Sequence, residues 1–381
     1  MSEVQNSSHE NELQFLSKSA AGSHGGKIVF GIIGSGWRTE FFLRIAKAMP
    51  DRFHVAGIVT RSAEKGRILE QTWGVQPYLT LDGMLEAAAL DFVVVSVPWE
   101  VAPVMTRELA ARNVPVLSET PPAPDLDGLK DLYALVARGA KIQVAEQYHL
   151  QPLHAARIAM ANSGKLGEVS QVQLSSCHGY HGISLIRRLL GVTFENATIR
   201  AMEITTPLVE GRGRDGGPDQ EKMIESKQVI ATLDFGGKIG IYDFTGDQYF
   251  SWIRAQRLLV RGNRGEITEK TVRYLKNFQT PIEFELTRKN AGEDGNLEGL
   301  FLKGIQAGEE WIYLNPTLPA RLSDDEIAIA SCLMKMHEYV HGGPSFYSLA
   351  EASQDHYLSL MMEEAVRTGG TVVTESQLWR F

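Results

Sequence analysis

Two stretches of this 381-residue chain concentrate side chains that can carry a proton. Cys177-His-Gly-Tyr-His181 sets two imidazoles and a phenol within four residues, and Glu146-Gln-Tyr-His149 adds a carboxylate, an amide, a phenol and another imidazole. Histidine titrates near neutrality, so His181 or His178 suits a general base, with Tyr180 placed to orient a ligand or pass the proton on. A third stretch works through its lack of side chains. In Gly31-Ile-Ile-Gly-Ser-Gly-Trp-Arg-Thr39 the first two glycines of a G-x-G-x-x-G fingerprint are Gly34 and Gly36, and Thr39 stands at the third position. Such a turn lets the backbone approach a pyrophosphate. The amides of residues 34 to 39, at a helix N-terminus, are expected to cradle it, with Arg38 adding charge and Trp37 packing on the cofactor or closing the cleft.

The elements that must position these groups follow from periodicity. From Lys27 to about Gln147 apolar strands, near 27–33, 54–60, 92–97, 114–118 and 141–146, alternate with amphipathic helices. That pattern predicts a mostly parallel, doubly wound sheet. Phe41, Phe42, Ile45 and Met49 mark one buried helix stripe, and Val101, Met105 and Leu109 another. Right-handed crossovers bring the loops after the first and fourth strands to one edge, where a ligand is expected. The second strand ends on Thr60 and Arg61 instead of a carboxylate. A hydroxyl beside a guanidinium suits a ribose 2′-phosphate, which favours NADP over NAD.

The second half alternates by two, as half-buried antiparallel strands do: 170–174, 199–204, 228–235, 238–244 and 282–287. Gly236-Gly237 reads as a hairpin turn, and residues 210–219 and 290–299 as charged surface loops with the makings of a lid. Ser323 to Tyr339 and Ser348 to Arg367 predict two long helices packing back on the first domain. The expected organisation is a loose tail over 1–26, a Rossmann domain over 27–147, and a substrate-binding and oligomerisation domain over 148–375.

Composition excludes several classes. The net charge of −8 offers no basic footprint for nucleic acid or an anionic membrane, and no uncharged apolar run reaches membrane-spanning length. The two cysteines, Cys177 and Cys332, have neither metal-ligand spacing nor a disulfide framework. No metal is expected, and a reducing cytoplasm is the default compartment.

The strand 91–98 ending in Pro98, the step Glu119-Thr120-Pro121, Pro152, the helix after His181 ending Leu189-Leu-Gly191, and the turn Gly262-Asn-Arg-Gly265 join the glycine turn in a recognisable order. Over roughly 27–375 the chain resembles the glucose-fructose oxidoreductase and myo-inositol dehydrogenase (Gfo/Idh/MocA) family. That resemblance implies a C-terminal α/β domain on an open, mostly antiparallel sheet whose outer face a second subunit covers, giving a homodimer or homotetramer. It implies that Pro98, Glu119 and Gln147 lie near the cofactor, and that His181 matches the family histidine.

The departures are specific. Thr120 replaces the family lysine that assists proton transfer, Cys177 replaces an aspartate, Trp99 an asparagine, Ala102 a histidine, and His149 a frequent arginine. The resemblance therefore points to hydride transfer between NADP or NAD and a hydroxyl carbon of a sugar, sugar derivative or cyclitol. His181 would be the base, His178 and Tyr180 its helpers, and Thr120, Tyr148, His149 and Cys177 would line the substrate space. Two other readings stay open: a redox-neutral sugar-modifying enzyme that retains its NAD, and a non-catalytic dinucleotide-binding regulator.

Overall fold

A computed structural model describes residues 26–214, 216–292 and 299–380. The expected tail lies outside these residues except for Gly26, and the loops at 210–219 and 290–299 are described only in part.

The first sheet is parallel and six-stranded, with β1 (Ile28–Ile33), β2 (Phe53–Val59), β3 (Pro77–Tyr78), β4 (Phe92–Val95), β5 (Val116–Ser118) and β6 (Ile142–Val144) in the order β3-β2-β1-β4-β5-β6. The short β3, which no alternation announced, makes Phe92–Val95 the fourth strand. Order reverses between β1 and β4, so the loops after them share the carboxyl edge of the sheet. Phe30, Ile32, Phe92 and Val94 are buried on one face with helix α1 (Thr39–Ala48), which contributes Phe42 and Ile45. Val93 and Val95 turn to the other face, against α4 (Ala102–Ala111) and α5 (Leu126–Ala137). Four consecutive buried residues in β4 are what a strand covered on both sides requires.

Between α1 and α5 the chain forms α2 (Ala63–Trp73) and α3 (Leu81–Ala87). After β6 a short 3-10 turn, Tyr148–Leu150, leads into α6 (Pro152–Asn162), β7 (Val169–Ser175) and α7 (Gly179–Leu190). The second sheet is mixed and eleven-stranded. Among the described residues its hydrogen-bonded neighbours run antiparallel except β7 with β10 (Ile239–Thr245). β8 (Thr198–Val209), β9 (Met223–Asp234) and β10 form one antiparallel meander, and the turn joining β9 to β10 has both glycines, Gly236 and Gly237, at positive φ. One face is packed by α7, whose Ile183, Leu185, Ile186, Leu189 and Leu190 are all buried. On the other face Met202, Ile204 and Leu275 remain exposed.

The C-terminal helices α8 (Asp324–Val340) and α9 (Leu349–Thr368) each start on a serine capping box. Ile329, Ala330, Leu333 and Met336 of α8 join the core of the first sheet. α9 packs on α7 and donates Leu358 and Met362 to the second core, while its Ala352 and Tyr357 reach the first. The chain thus returns to lock its two halves together.

Candidate functional site

The glycine turn is dictated by what surrounds it. Gly34 has φ +114°, and a Cβ there would lie 1.9 Å from the Ser96 carbonyl oxygen, so only glycine lets β1 pass the end of β4. A Cβ on Gly36 would meet nothing within 4 Å: that side of the turn is open space, where a bound phosphate has room. Thr39, fully buried, donates its hydroxyl to the Gly34 carbonyl at 3.1 Å. A side chain therefore braces the turn where a third glycine would permit closer packing. The cradle is narrower than the motif implied, because the Gly34 amide is spent on Val59 O (3.0 Å) and the Thr39 amide on Gly36 O (3.0 Å).

Arg38 does not stand waiting for an anion. Its Nε donates to Glu119 Oε1 at 2.9 Å and its Nη1 lies 3.5 Å from Asp325. Burial opposes the charge, but the two carboxylates outweigh it and hold the guanidinium above its ordinary pKa. The clasp ties the glycine turn to the end of β5 and the start of α8. Trp37 is exposed beside it, with the Arg214 guanidinium 3.9 Å from its ring centre, so the 210–219 loop of the second half reaches across to the turn. Buried Thr60 places its hydroxyl 3.3 Å from Ser35 Oγ, while Arg61 is exposed. Pro98 is exposed, and its carbonyl accepts the Val101 and Ala102 amides that start α4.

The acid–base residues come together from β6, α7 and the 3-10 turn Gly246–Tyr249 after β10. His181 sits in the first turn of α7, buried, its Nδ1 hydrogen-bonded to the Glu146 carboxylate. Glu146, just past β6 and also buried, takes the Tyr148 amide on its other oxygen at 3.0 Å. A carboxylate fixed by backbone orients the imidazole and leaves Nε2 as the nitrogen for a ligand's proton. The rings of Tyr180, Tyr148 and His178 surround His181 at 4.4, 4.6 and 4.8 Å between centres.

A second hydrogen-bonded set runs past it. Tyr148 OH donates to Tyr249 OH at 3.3 Å, Tyr249 OH meets His178 Nδ1 at 2.7 Å, His178 Nε2 meets Tyr180 OH at 3.3 Å, and Tyr180 OH donates to the Thr120 carbonyl at 3.4 Å. A carbonyl only accepts, so the direction is set from that end: Tyr180 gives its proton to Thr120 O, must accept from His178 Nε2–H, and Nδ1 then accepts from Tyr249. Each hydroxyl donates once, and the single ring proton suffices. His178 must be neutral for this. Its surface reaches solvent, but the crowding protein removes enough water to push its pKa down to about 4, with His181 as the second cause. Burial likewise lifts Tyr180 and Tyr249 above the usual phenol range, so both remain donors at neutral pH.

Other expected site residues lie elsewhere. Cys177 is fully buried in the core of the second half, its thiol raised by that burial, so it does not line the open cleft. His149 is buried and stacked on Tyr347, 5.2 Å between ring centres, with its pKa well below the ordinary value through burial; it faces the packing between the halves and stays uncharged. Gln147 is buried with Oε1 unpartnered among the described residues, an acceptor open to an N–H or O–H from a ligand. That orphan and the space over Gly36 are what a dinucleotide with a carboxamide and ribose hydroxyls would fill, and the residues fit it.

Sequence reasoning missed Tyr249, which lies 71 residues from His178. It also gave Glu146 no role and left Asp325 unmentioned. Glu146 was findable, since it is the acidic member of a dense titratable segment; no spacing signals Tyr249 or Asp325.

Residues 28–148 match the model of an oxidoreductase family, GFO_IDH_MocA, described as having an NAD-binding Rossmann fold. No curated protein matches the chain significantly. Among solved structures, an oxidoreductase from Agrobacterium radiobacter in complex with NAD+, L-tartaric acid and magnesium is 17% identical, with 91% of this chain and 98% of that one covered at a TM-score of 0.63. An NAD-binding oxidoreductase from Klebsiella pneumoniae and a levoglucosan dehydrogenase in complex with NADH are each 15% identical, covering 92% of this chain and 100% of theirs at 0.67. At these identities the likeness is one of fold, and it extends over both halves.

Proposed function

We propose that the chain, whose first domain belongs to the Gfo/Idh/MocA oxidoreductase family, transfers a hydride between a nicotinamide dinucleotide and a hydroxyl carbon of a sugar, sugar derivative or cyclitol. The buried Glu146–His181 pair carries this reading. Hydride removal from a carbinol needs a base for the hydroxyl proton, and a carboxylate behind the imidazole stabilises the imidazolium that results. The nicotinamide, when bound, supplies the hydride acceptor or donor; the proton is the protein's task.

His181 Nε2 takes the hydroxyl proton while Glu146 holds the ring against rotation. The chain from Tyr148 through Tyr249, His178 and Tyr180 ends on the Thr120 carbonyl, at the residue that replaces the family lysine. Tyr180 and Tyr148, packed on His181, then position a second substrate hydroxyl by accepting its hydrogen bond. Arg38, Glu119 and Asp325 keep the glycine turn rigid, and Trp37 with Arg214 covers it.

The finer assignments are part of the same proposal. Arg61 beside Thr60, with no carboxylate at the end of β2, favours a 2′-phosphate; the ratio of kcat/KM with NADP to that with NAD reads it directly. The exposed outer face of the second sheet favours a homo-oligomer. The domains run over 27–147 and 148–375.

The test is His181→Asn. Turnover on a polyol panel should fall by about 10²- to 10⁴-fold with dinucleotide affinity nearly unchanged. Wild-type turnover in that variant would overturn the role of His181. Product release without net nicotinamide reduction would instead move the reading to a transient, redox-neutral oxidation.

A further inference from the structure

Asp91, His337 and His341 converge far from the cleft. Asp91 immediately precedes β4, at the amino edge of the parallel sheet, whereas the glycine turn lies at the carboxyl edge. His337 stands in the last turn of α8 and His341 caps its end, four residues on, so their rings share one face with centres 4.3 Å apart. His337 Nδ1 lies 3.4 Å from Asp91 Oδ2, and His341 Nε2 3.9 Å from Asp91 Oδ1. One ligand atom from each of the three residues falls within 4.8 Å of the others.

We propose that these three side chains bind a divalent transition cation of the zinc type, clipping the end of α8 to the first sheet. Three observations support it. His341 Nδ1 lies 2.8 Å from the His337 carbonyl oxygen, which can only accept, so Nδ1 carries a proton, and in the neutral ring the lone pair is on Nε2, facing Asp91. A ligating histidine is commonly oriented by just such a backbone bond. Asp91 is oriented too, since its Oδ2 accepts the Val29 amide at 2.8 Å. The 3.9 Å between His341 Nε2 and Asp91 Oδ1 exceeds a direct N–H···O bond and leaves a gap on that side of the carboxylate.

The donor set selects the ion. Two imidazoles and one carboxylate suit zinc and its neighbours, whereas magnesium and calcium prefer oxygen alone. Tetrahedral zinc, with bonds of about 2.0–2.1 Å, spaces its ligands roughly 3.3 Å apart, so separations of up to 4.8 Å must close by as much as roughly 1.5 Å, with water as a fourth ligand. The negative end of α8 adds attraction. Two cations lie near this end of α8: Lys141, whose Nζ is engaged on the Val340 carbonyl at 2.9 Å, and Arg52, which faces Glu338.

The test uses full-length protein without a histidine tag, stripped by chelator and titrated with Co2+ and then Zn2+. Wild type should take up one equivalent per chain, show visible cobalt bands that zinc abolishes, and melt at a higher temperature with metal. His341→Ala removes an exposed side chain, so the fold should survive, and zinc affinity should fall at least tenfold; Asp91→Asn should do likewise. Unchanged zinc affinity in His341→Ala, or wild-type uptake no tighter than that of the His337→Ala/His341→Ala double variant, would overturn the site. Neither readout depends on the proposed dehydrogenase activity.

Discussion

At the scale of single residues, the site separates two jobs usually combined in one base. His181 is held by a carboxylate and is the proton acceptor we propose; His178 is held neutral between two phenols in the hydrogen-bonded set that ends on Thr120. Tyr249→Phe removes the donor to His178 Nδ1 and should lower kcat by about 10-fold, while dinucleotide affinity stays put, since Tyr249 touches none of the glycine turn. Stopped-flow single-turnover rates would separate this from a binding defect. A different histidine governs stability. His154 Nδ1 lies 3.4 Å from Arg157, which can only donate, so that nitrogen is unprotonated. Burial, and then the Arg157 charge, push its pKa down to about 3. The sign follows from the unfolded chain, which protonates His154 near its ordinary 6.5 while the folded chain does not. Stability should therefore fall as pH drops from about 6.5 toward 3, by up to about 1.4 kcal/mol per pH unit from this group. Urea melts between pH 4.5 and 7 should show a shallower slope in His154→Asn, whatever its absolute stability.

At the scale of elements, the turn between β1 and α1 contains two glycines with different reasons to be glycine. Gly34→Ala forces a Cβ onto the Ser96 carbonyl at a positive φ and should cost about 2–3 kcal/mol of stability, read as a lowered Tm without ligand. Gly36→Ala meets no protein atom, so its Tm should match wild type, but the methyl enters the space over the turn and should weaken dinucleotide binding by about 10-fold or more. Equal Tm losses in the two variants would contradict this division. Helix α7 shows the same economy: its first turn carries Tyr180 and His181 to the site, while a Cβ on Gly182 would strike the Tyr242 ring at 2.7 Å, so close packing on β10 holds the acid–base groups in place.

At the scale of the whole molecule, the second sheet is covered on one face only among the described residues. Met202 is 56% exposed on β8, and Ile204 and Leu275 lie exposed on the same open face. Exposed apolar side chains beside the ion pairs Arg261–Glu266 and Arg273–Glu283 give this face both the apolar and the charged groups of an interface. Light scattering after size exclusion should give two or four times the chain mass, and Met202→Lys with Ile204→Lys should shift it toward the monomer without unfolding the Rossmann half. A monomeric wild type would remove the oligomer from the proposal. Among the described residues no helix is long and apolar enough to cross a membrane.

Five strands of the first sheet, five of the second, the two C-terminal helices and the glycine turn were legible in the chain because each is a local pattern: alternation by two, a stripe at three and four, or a residue without a side chain; the two-residue β3 and six strands of the eleven-stranded sheet were not read from it. The parallel and antiparallel sheet characters followed from the spacing of those patterns. The partners of the functional side chains were not legible, because a hydrogen bond between positions 178 and 249, or a clasp from 38 to 119 and 325, leaves no periodic trace. Tertiary packing alone turned Arg38 toward carboxylates, sank Cys177 and His149 into dry surroundings, and gave Glu146 to His181. Position along the chain names the chemistry available, and only the folded distances decide which of those groups share a proton.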